Sequence, residues 1–227
     1  MKYFPYKAET DEKISHLMAR IRPLQNGETY KQMQNAGVSY KKNMGVSIVH
    51  LREVAAEEKP NQELARRLWH REFRETMILG AMLAEADKFQ VGELDQWGDM
   101  IPAAELSEQL GRHLLCQPEI TESFLIGWLE NDNFFKKYAS AMGIGWRLRF
   151  YPDQGFSDLE QIFPVLRRFF ETHTAHHGAA FVLKMAVRFS PRHRSSVVKL
   201  VEEWKQQKNP VLEAVADEIR EEIDLFL

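Results

Sequence analysis

The sequence predicts an all-α protein built as a solenoid of paired helices. Apolar residues recur at a helical period along nearly the whole chain, and no run of alternating β-branched residues predicts a strand. Short breaks recur at regular intervals, which is typical of HEAT- or armadillo-like helical repeats. About a dozen helices in series are too many for a simple bundle, so we prefer the α-solenoid to a compact helical bundle. We expect one α-helical repeat domain over residues 1–227.

Prolines mark several of the predicted helix boundaries. Pro118 and Pro210 suit the first position of a helix, where the missing N–H removes no hydrogen bond, and Asn209 can cap the helix after it. We expect Pro102 to begin a new helix. Pro164 lies inside "LEQIFPVLRRFF", so we predict a kink or a restart there. The resulting helices have roughly 9 to 19 residues, the ordinary range for globular proteins.

The last predicted helix, 209–227, is acidic on one side and apolar on the other. It carries six carboxylates against the single Arg220, a net charge of −5. Its apolar positions follow a helical spacing: Leu212, Val215, Ile219, Ile223 and Phe226. We predict an amphipathic capping helix that covers the end of the stack, with partner binding as the alternative.

The charge of the chain is asymmetric although its formal total is only −3. Residues 161–208 carry nine lysines and arginines against three glutamates, a local net charge of +6. The small total therefore does not exclude nucleic acid as a partner, because binding depends on where the charge lies. The single cysteine, Cys116, excludes an intrachain disulfide and favours a reducing compartment. No apolar run resembles a signal peptide or a membrane span, so we expect a cytoplasmic protein without a membrane partner.

A cationic stripe is predicted on the helix that contains "DNFFKKYASAMGIGWRLRF". At about 100° per residue, Lys136, Ser140, Gly143 and Arg147 fall within one narrow stripe. A solvated helix face is the simplest interpretation of such charges. The alternative is a face that contacts a ligand.

A second stripe follows in "THTAHHGAAFVLKMAVRFS", where His173, His177, Lys184 and Arg188 are spaced to share one face. Two neighbouring helices that each present cations could form a basic concave surface for the phosphates of DNA. The structural alternative is that these cations pair with the acidic last helix, in which case DNA binding would be weak and insensitive to salt.

Motifs for metal or nucleotide chemistry are missing from the sequence. His173 and His177 have a spacing that can hold zinc, but no HExxH pattern or further ligand accompanies them. There is no GxxxxGK[ST] phosphate loop and no GxSxG nucleophile elbow. We therefore expect neither a metal nor a cofactor.

Candidate catalytic residues lie in "ELDQWGDMIPAAELSEQLG". A carboxylate beside an aromatic ring can stabilise a cationic base or an oxocarbenium-like transition state, which makes Trp97, Asp99 and Glu105 candidates. The structural alternative for Trp97 is a core anchor, spaced with Val91, Leu94 and Ile101. For Asp99 the alternative is a helix cap or a turn residue.

Three segments carry a resemblance to a known family. "GVSYKKNMGVSIVHLREVAAE", "LARRLWHREFRETMILGAML" and "LGRHLLCQPEITESFLIGWLENDNFFKKYASAM" resemble the AlkD-type DNA alkylation repair glycosylases in order and separation, over roughly residues 35–205. The resemblance implies HEAT-like repeats, a DNA-binding basic face, and hydrolytic release of positively charged alkylated purines without a metal or cofactor.

The catalytic positions of that family match this chain poorly. Its key acid falls on Ala103, its arginine on Tyr138 and its second aromatic near Met185, while Asp99 falls on an aromatic position. A shift of a few residues would recruit Asp99 or Glu105 as the acid and Lys137 as the cation.

Two hypotheses follow from these observations. In the first, the chain binds duplex DNA and releases a modified base with Asp99 or Glu105 as the carboxylate and Trp97 as the aromatic. The DNA-binding candidates are Lys136, Lys137, Arg147, His177, Lys184 and Arg188. In the second, the chain is a catalytically inactive HEAT-like scaffold that binds nucleic acid or a protein partner.

Overall fold

A computed structural model describes residues 4–226, apart from the side chain of Val91. Within that range the chain forms thirteen α-helices, several short 3-10 turns and one π-helical segment, Gly111–Leu115. No β-strand forms between residues 4 and 226, where Lys42 and Phe73 make an isolated parallel bridge. The predicted all-α class is confirmed. The chain divides into two compact units, Met1–Leu114 and Leu115–Leu227, and a single repeat domain over 1–227 stays a prediction.

Unit 1 holds the first seven helices. They are α1 (Ala8–Ile21), α2 (Gly27–Asn35), α3 (Ile48–Ala56), α4 (Gln62–Trp69), α5 (Arg74–Leu83), α6 (Val91–Asp99) and α7 (Ala104–Leu110). Helix α5 is central because it packs against α3, α4 and α7, and every residue from Arg74 to Ala81 is buried. Side-chain caps begin several of these helices: the Oδ1 of Asn61, for example, accepts the backbone N–H of Leu64 at 2.9 Å.

Unit 2 holds the remaining six helices. They are α8 (Glu122–Leu129), α9 (Phe134–Phe150), α10 (Phe163–Glu171), α11 (His176–Phe189), α12 (Pro191–Gln206) and α13 (Pro210–Phe226). Consecutive helices pack as the pairs α8/α9, α10/α11 and α12/α13. The second helices of these pairs also pack on one another, α9 on α11 and α11 on α13. This is the arrangement of stacked helical repeats.

The proline predictions have mixed outcomes. Pro164 lies in the first turn of α10, directly after the 3-10 turn Glu160–Ile162, so the predicted restart is confirmed. Pro210 begins α13, and Asn209 accepts the backbone N–H of Val211 at 3.0 Å. Pro118 instead lies in a turn, because α8 begins at Glu122.

The starts of α8 and α7 differ from the proline-based predictions. The Oγ1 of Thr121 caps α8 by accepting the N–H of Phe124, which sets the helix start later than the proline. Helix α7 begins at Ala104, with Ala103 as its extended N-cap residue. Pro102 therefore precedes the helix that we expected it to begin.

Candidate functional site

Unit 1 contains an open cleft of about 680 Å³. It lies where the loop before α3, the turn between α4 and α5, and the end of α6 come together. The residues that line it are Tyr40, Lys41, His70, Glu72, Met77, Gln96, Asp99, Met100 and Pro102. The lining thus combines a phenol ring, an imidazole ring, two carboxylates and two methionines, and we call this site the unit 1 cleft.

The wall of the unit 1 cleft is fixed by the turn between α4 and α5. Glu72 adopts a left-handed backbone conformation with φ of 59°, which lets the chain turn sharply from α4 to α5. Its carboxylate accepts a hydrogen bond from the Nζ of Lys41 at 2.9 Å, and this pairing lowers the pKa of Glu72. The backbone N–H of Arg74 donates to the carbonyl of Lys42 at 2.9 Å. These contacts hold the loop against the turn.

A buried ionic network lies directly behind the cleft. The guanidinium of Arg74, which is 1% exposed, donates to both carboxylate oxygens of Glu105, at 2.7 and 2.5 Å. Another of its N–H groups donates to the carbonyl of Val46 at 2.7 Å. Glu75 accepts the backbone N–H groups of Met44 and Val46. The network ties α5 to α7 and to the loop that precedes α3.

Tyr40 joins this network to the cleft. Its hydroxyl donates to Glu105 at 3.2 Å, while the residue itself lines the cleft. Burial, reinforced by the negative charge of Glu105, raises the pKa of Tyr40 well above its ordinary value. The phenol is therefore neutral at physiological pH and acts as a hydrogen-bond donor.

The three predicted catalytic residues have different environments. Asp99 is exposed and lines the unit 1 cleft. Glu105 lies behind the cleft, where Arg74 and Tyr40 bind its oxygens. Trp97 is fully buried, stacked on Trp69 with ring centroids 4.2 Å apart.

The environment of Trp97 corrects our expectation that it would act beside a carboxylate at a ligand site. The ring of Phe89 lies perpendicular to that of Trp97, with centroids 4.8 Å apart, and Trp97 is not among the residues that line the cleft. Trp97 is therefore a residue of the hydrophobic core, which was the structural alternative that we gave for it. Glu105 likewise takes part in the packing of the protein, because the guanidinium of Arg74 donates to both of its carboxylate oxygens.

The three positions that match the family's catalytic residues are all buried. Ala103 is 6% exposed and Met185 is 4% exposed. Tyr138 is 8% exposed, and its ring stacks on Phe134 at a centroid distance of 5.9 Å. None of these side chains supplies an acid, an arginine or an exposed aromatic ring.

The cationic stripe on α9 is buried, which corrects the expectation of an exposed basic face. Lys136 is 5% exposed, with its Nζ 5.6 Å from the ring centroid of Trp128. Ser140 donates to the carbonyl of Leu125 at 2.6 Å. A side chain at Gly143 would approach Leu115 within 2.8 Å. The stripe therefore packs against α8 and the turn before it.

The guanidinium of Arg147 is buried among backbone carbonyls. It is 2% exposed and donates to the carbonyls of residues 115, 116, 117 and 120 at distances between 2.5 and 3.1 Å. These carbonyls belong to the last residue of the π-helical segment and to the turn that follows it, where backbone acceptors lack helical donors. Burial lowers the pKa of Arg147. Its hydrogen bonds go to the backbone of the protein, so a phosphate could not reach it without unfolding this turn.

The stripe on α11 is at the surface, but α13 pairs with its cations. The Nζ of Lys184 lies 2.5 Å from a carboxylate oxygen of Glu218. Arg188 donates to both oxygens of Glu222, at 2.5 and 2.7 Å, and this hydrogen bonding lowers the pKa of Glu222. The predicted alternative, pairing with the acidic last helix, is the arrangement that the structure shows.

The remaining predicted residues lie on α9 and α11. His177 is exposed, with its ring 4.1 Å from that of His176. Lys137 is partly exposed. Over residues 4–226, no group of three or more histidine, cysteine or carboxylate side chains is arranged to hold a metal ion.

Arg149 is a surface cation that the sequence reasoning missed. Its guanidinium carbon lies 5.2 Å from the ring centroid of Trp146, 5.4 Å from Phe189 and 6.0 Å from Phe150. The local signal was the string "WRLRF", in which two arginines stand between two aromatic residues. The contribution of Phe189 could not be seen, because it comes from the end of another helix.

Comparison with models of known protein families shows which family this protein is related to. The model described as DNA alkylation repair enzyme matches residues 17–177, well over half of the 227 residues. The chain belongs to the DNA alkylation repair enzyme family. The match ends near the start of α11, so most of α11 and all of α12 and the acidic α13 lie outside the matched residues. No curated protein sequence matches the chain.

A solved structure is similar to this member of the DNA alkylation repair family over most of its length. It is described as one of a new family of proteins related to the HEAT-like repeat DNA glycosylases, with affinity for branched DNA structures. The TM-score is 0.73 at 18% sequence identity, and the similarity covers 91% of this chain and 94% of that chain. The predicted HEAT-like fold is thereby confirmed. No helix in the described part of the chain is long and apolar enough to cross a membrane.

Proposed function

We propose that this protein binds DNA and prefers DNA whose helix is interrupted, as at a branch or a gap. The observation that carries the proposal is the family match over residues 17–177. The fold similarity to a protein described as having affinity for branched DNA supports the preference. The buried Ala103, Tyr138 and Met185, which occupy the positions expected for the catalytic residues, favour binding over excision as the main activity.

The cations available for this binding differ from the predicted set. Lys136 and Arg147 are buried, whereas Lys137 and His177 are at least partly exposed. Lys184 and Arg188 are at the surface in pairs with α13. Exposed ion pairs contribute only about 0–1 kcal/mol each. A phosphate could therefore replace the exposed carboxylate of Glu218 at little cost, whereas the carboxylate of Glu222 is buried beside Arg188.

A binding titration tests this proposal. The full chain is titrated into a labelled four-way junction, a gapped duplex and an intact duplex of equal length, at about 50 mM and about 200 mM salt. We expect tighter binding to the junction and the gapped duplex, with affinity falling as salt rises because displaced counterions drive association. Equal affinity for all three substrates would contradict the preference, and no binding at low salt would contradict DNA binding itself.

A second candidate function is release of a cationic alkylated base in the unit 1 cleft. The observation that favours it is Asp99, an exposed carboxylate that lines this cleft together with Tyr40 and Glu72. Two carboxylates and an aromatic ring suit a positively charged ring system. Asp99 would stabilise the positive charge that develops on the sugar as the base departs.

The bond changes of this candidate reaction balance without a cofactor. The bond between C1′ of the sugar and the base nitrogen breaks, and its electron pair neutralises the cationic base. Water supplies the oxygen that bonds to C1′, and its proton passes to Asp99 and then to solvent. The products are the free base and an abasic sugar.

Base release from alkylated duplex DNA tests this second candidate. Asp99→Asn should abolish release, because it removes the carboxylate charge that stabilises the sugar cation. DNA affinity should stay within about twofold, because only one exposed carboxylate is neutralised. Asp87→Asn is the matched control, since Asp87 is exposed and lies outside the unit 1 cleft. If the unaltered chain releases no base, the excision candidate is wrong and the binding proposal is unaffected.

A further inference from the structure

A second cavity of unit 1, of about 280 Å³, contains two arginines in its lining. It is formed by α1, by the 3-10 turn Arg22–Leu24 that follows α1, and by the turn between α4 and α5. The described residues that line it are Asp11, Ile14, Ser15, Met18, Arg22 and Arg71. None of them lines the unit 1 cleft, so this is a separate site, which we call the arginine pocket.

The guanidinium groups of Arg22 and Arg71 have no partner within residues 4–226. Both residues are exposed, and neither side chain forms an ion pair, a hydrogen bond or a ring contact in that range. By contrast, Arg20 on the same helix α1 pairs with Glu57 at 2.6 Å. Two like charges that line one cavity repel each other, so an anion between them would be stabilised.

The one carboxylate among the described lining residues is already paired. Both carboxylate oxygens of Asp11 accept from the Nη1 of Arg67, at 3.2 Å, and Oδ2 also accepts the backbone N–H of Lys7 at 2.8 Å. Arg67 is 6% exposed and donates to the carbonyl of Pro5 at 2.6 Å as well, which holds it in place. The charge of Asp11 is therefore compensated by Arg67, and the two lining arginines leave the pocket positive.

The rest of the lining offers an apolar surface. Ile14 and Met18 are 4% and 6% exposed, because they also belong to the core of unit 1. The hydroxyl of Ser15 donates to the carbonyl of Asp11 at 2.8 Å, so its proton is engaged within the helix. The pocket therefore combines two charged donors with an apolar surface, a combination that suits a phosphate attached to a sugar.

We propose that the arginine pocket binds the terminal phosphate of an interrupted DNA strand. A phosphate monoester carries a charge of about −2 at neutral pH, which compensates both arginines. A phosphate within the backbone carries a single negative charge and would compensate only one. The free oxygens of the monoester would accept hydrogen bonds from Arg22 and Arg71, and the deoxyribose would contact Ile14 and Met18.

This inference rests on the proposed DNA binding and deepens it. A gap exposes the ends of its strand inside the duplex, whereas an uninterrupted strand offers no terminal phosphate there. Recognition of that phosphate would therefore favour gapped over intact duplex. The 5′-phosphate and the 3′-phosphate share the same chemistry, and the experiment below distinguishes them.

The test uses gapped duplexes whose outer ends are closed by hairpin loops, so that the gap holds the only strand ends. The gap carries a 5′-phosphate, a 3′-phosphate or no phosphate in otherwise identical molecules. The unaltered chain should bind one of the phosphorylated gaps about tenfold more tightly than the unphosphorylated gap, since charge-assisted hydrogen bonds have this order of effect.

Arg22→Gln and Arg71→Gln keep a polar side chain and remove the charge. Each should abolish most of the advantage that the phosphate confers, and should change affinity for the unphosphorylated gap by less than about twofold. The matched control is Arg20→Gln, which removes a cation from the same helix but outside the pocket. It should leave the advantage of the phosphate unchanged.

Two results would overturn the arginine pocket while leaving DNA binding in place. One is equal affinity of the unaltered chain for all three gapped molecules. The other is a loss in the pocket variants that is the same with and without the phosphate, which would mean contact with the backbone rather than with a strand end. Absence of binding to any of the three by the unaltered chain would overturn the DNA-binding proposal and this inference together.

Discussion

Helices α9 and α11 carry similar cationic stripes in the sequence and use them differently in the structure. On α9, Lys136 and Arg147 are buried, and Arg147 binds four backbone carbonyls of the preceding turn. On α11, Lys184 and Arg188 lie at the surface and pair with carboxylates of α13. Helical spacing thus identifies a shared face, but the neighbouring element determines whether that face is exposed.

The largest expected effect is on folding and concerns Arg147. Arg147→Met should destabilise the protein by about 3 to 5 kcal/mol, because several buried carbonyls lose their charged donor. Urea denaturation measures this change. Arg149→Ala, on the same helix but exposed, should cost less than about 1 kcal/mol. Similar losses for the two variants would contradict the distinction between the buried and exposed arginines of α9.

The next effect separates the two carboxylates that we predicted as catalytic. Glu105→Gln should destabilise the protein by about 2 kcal/mol, because the buried Arg74 loses its bidentate carboxylate partner and keeps only Glu75. Asp99→Asn should cost less stability than that, since Asp99 is exposed whereas Glu105 pairs with the buried Arg74. Urea denaturation of both variants checks this ranking. If the two changes have the same effect on stability, Glu105 is not the structural member of the pair.

A smaller effect concerns DNA affinity and the surface pairs of α11. Replacing both Glu218 and Glu222 with glutamine should free Lys184 and Arg188 for phosphates. DNA affinity should rise several-fold. The slope of log affinity against log salt concentration should become steeper by about 0.9 for each freed cation. Glu202→Gln with Glu203→Gln, which neutralises two exposed carboxylates of α12, is the control for net charge. An equal gain in the control would show that only total charge matters.

The smallest effect is a pH dependence of the Arg188–Glu222 pair. Arg188 holds the pKa of Glu222 below its ordinary value. The contribution to stability is therefore present above the carboxyl pKa of the unfolded chain, about 4.3, and is lost as the pH falls through the lower pKa of the folded state. At neutral pH it is at most about 1 kcal/mol, because Arg188 is partly exposed to solvent.

The measurement is the stability difference between the unaltered chain and Glu222→Gln as the pH is lowered. The difference should shrink below about pH 4. A difference that is constant between pH 7 and pH 3 would mean that the carboxylate charge of Glu222 contributes nothing.

Local patterns in the sequence predicted much of the fold. Pro164 correctly marked the restart of a helix, because the cause is steric and local. The acidic α13 and its alternative role as partner of the α11 cations followed from charge and apolar spacing. The family resemblance was also visible in diffuse helical segments and agrees with the match over residues 17–177.

The candidate site was less predictable because its contacts join distant parts of the chain. Arg74 and Glu105 are separated by 31 positions, so nothing near Glu105 indicated its partner. Arg147 bonds the carbonyls of a turn that has no side-chain signature. Phe189 reaches Arg149 from a different helix. In each case tertiary packing, which helical periodicity does not encode, decided the role of the residue.

The most direct test of the account is the affinity of the full chain for a four-way junction and a matched intact duplex, measured side by side at low and moderate salt. We expect the junction to be bound more tightly and both affinities to fall as the salt concentration rises. Equal affinity for the two substrates would contradict the proposed preference for interrupted DNA. No measurable binding to either at low salt would contradict the central claim that this protein binds DNA.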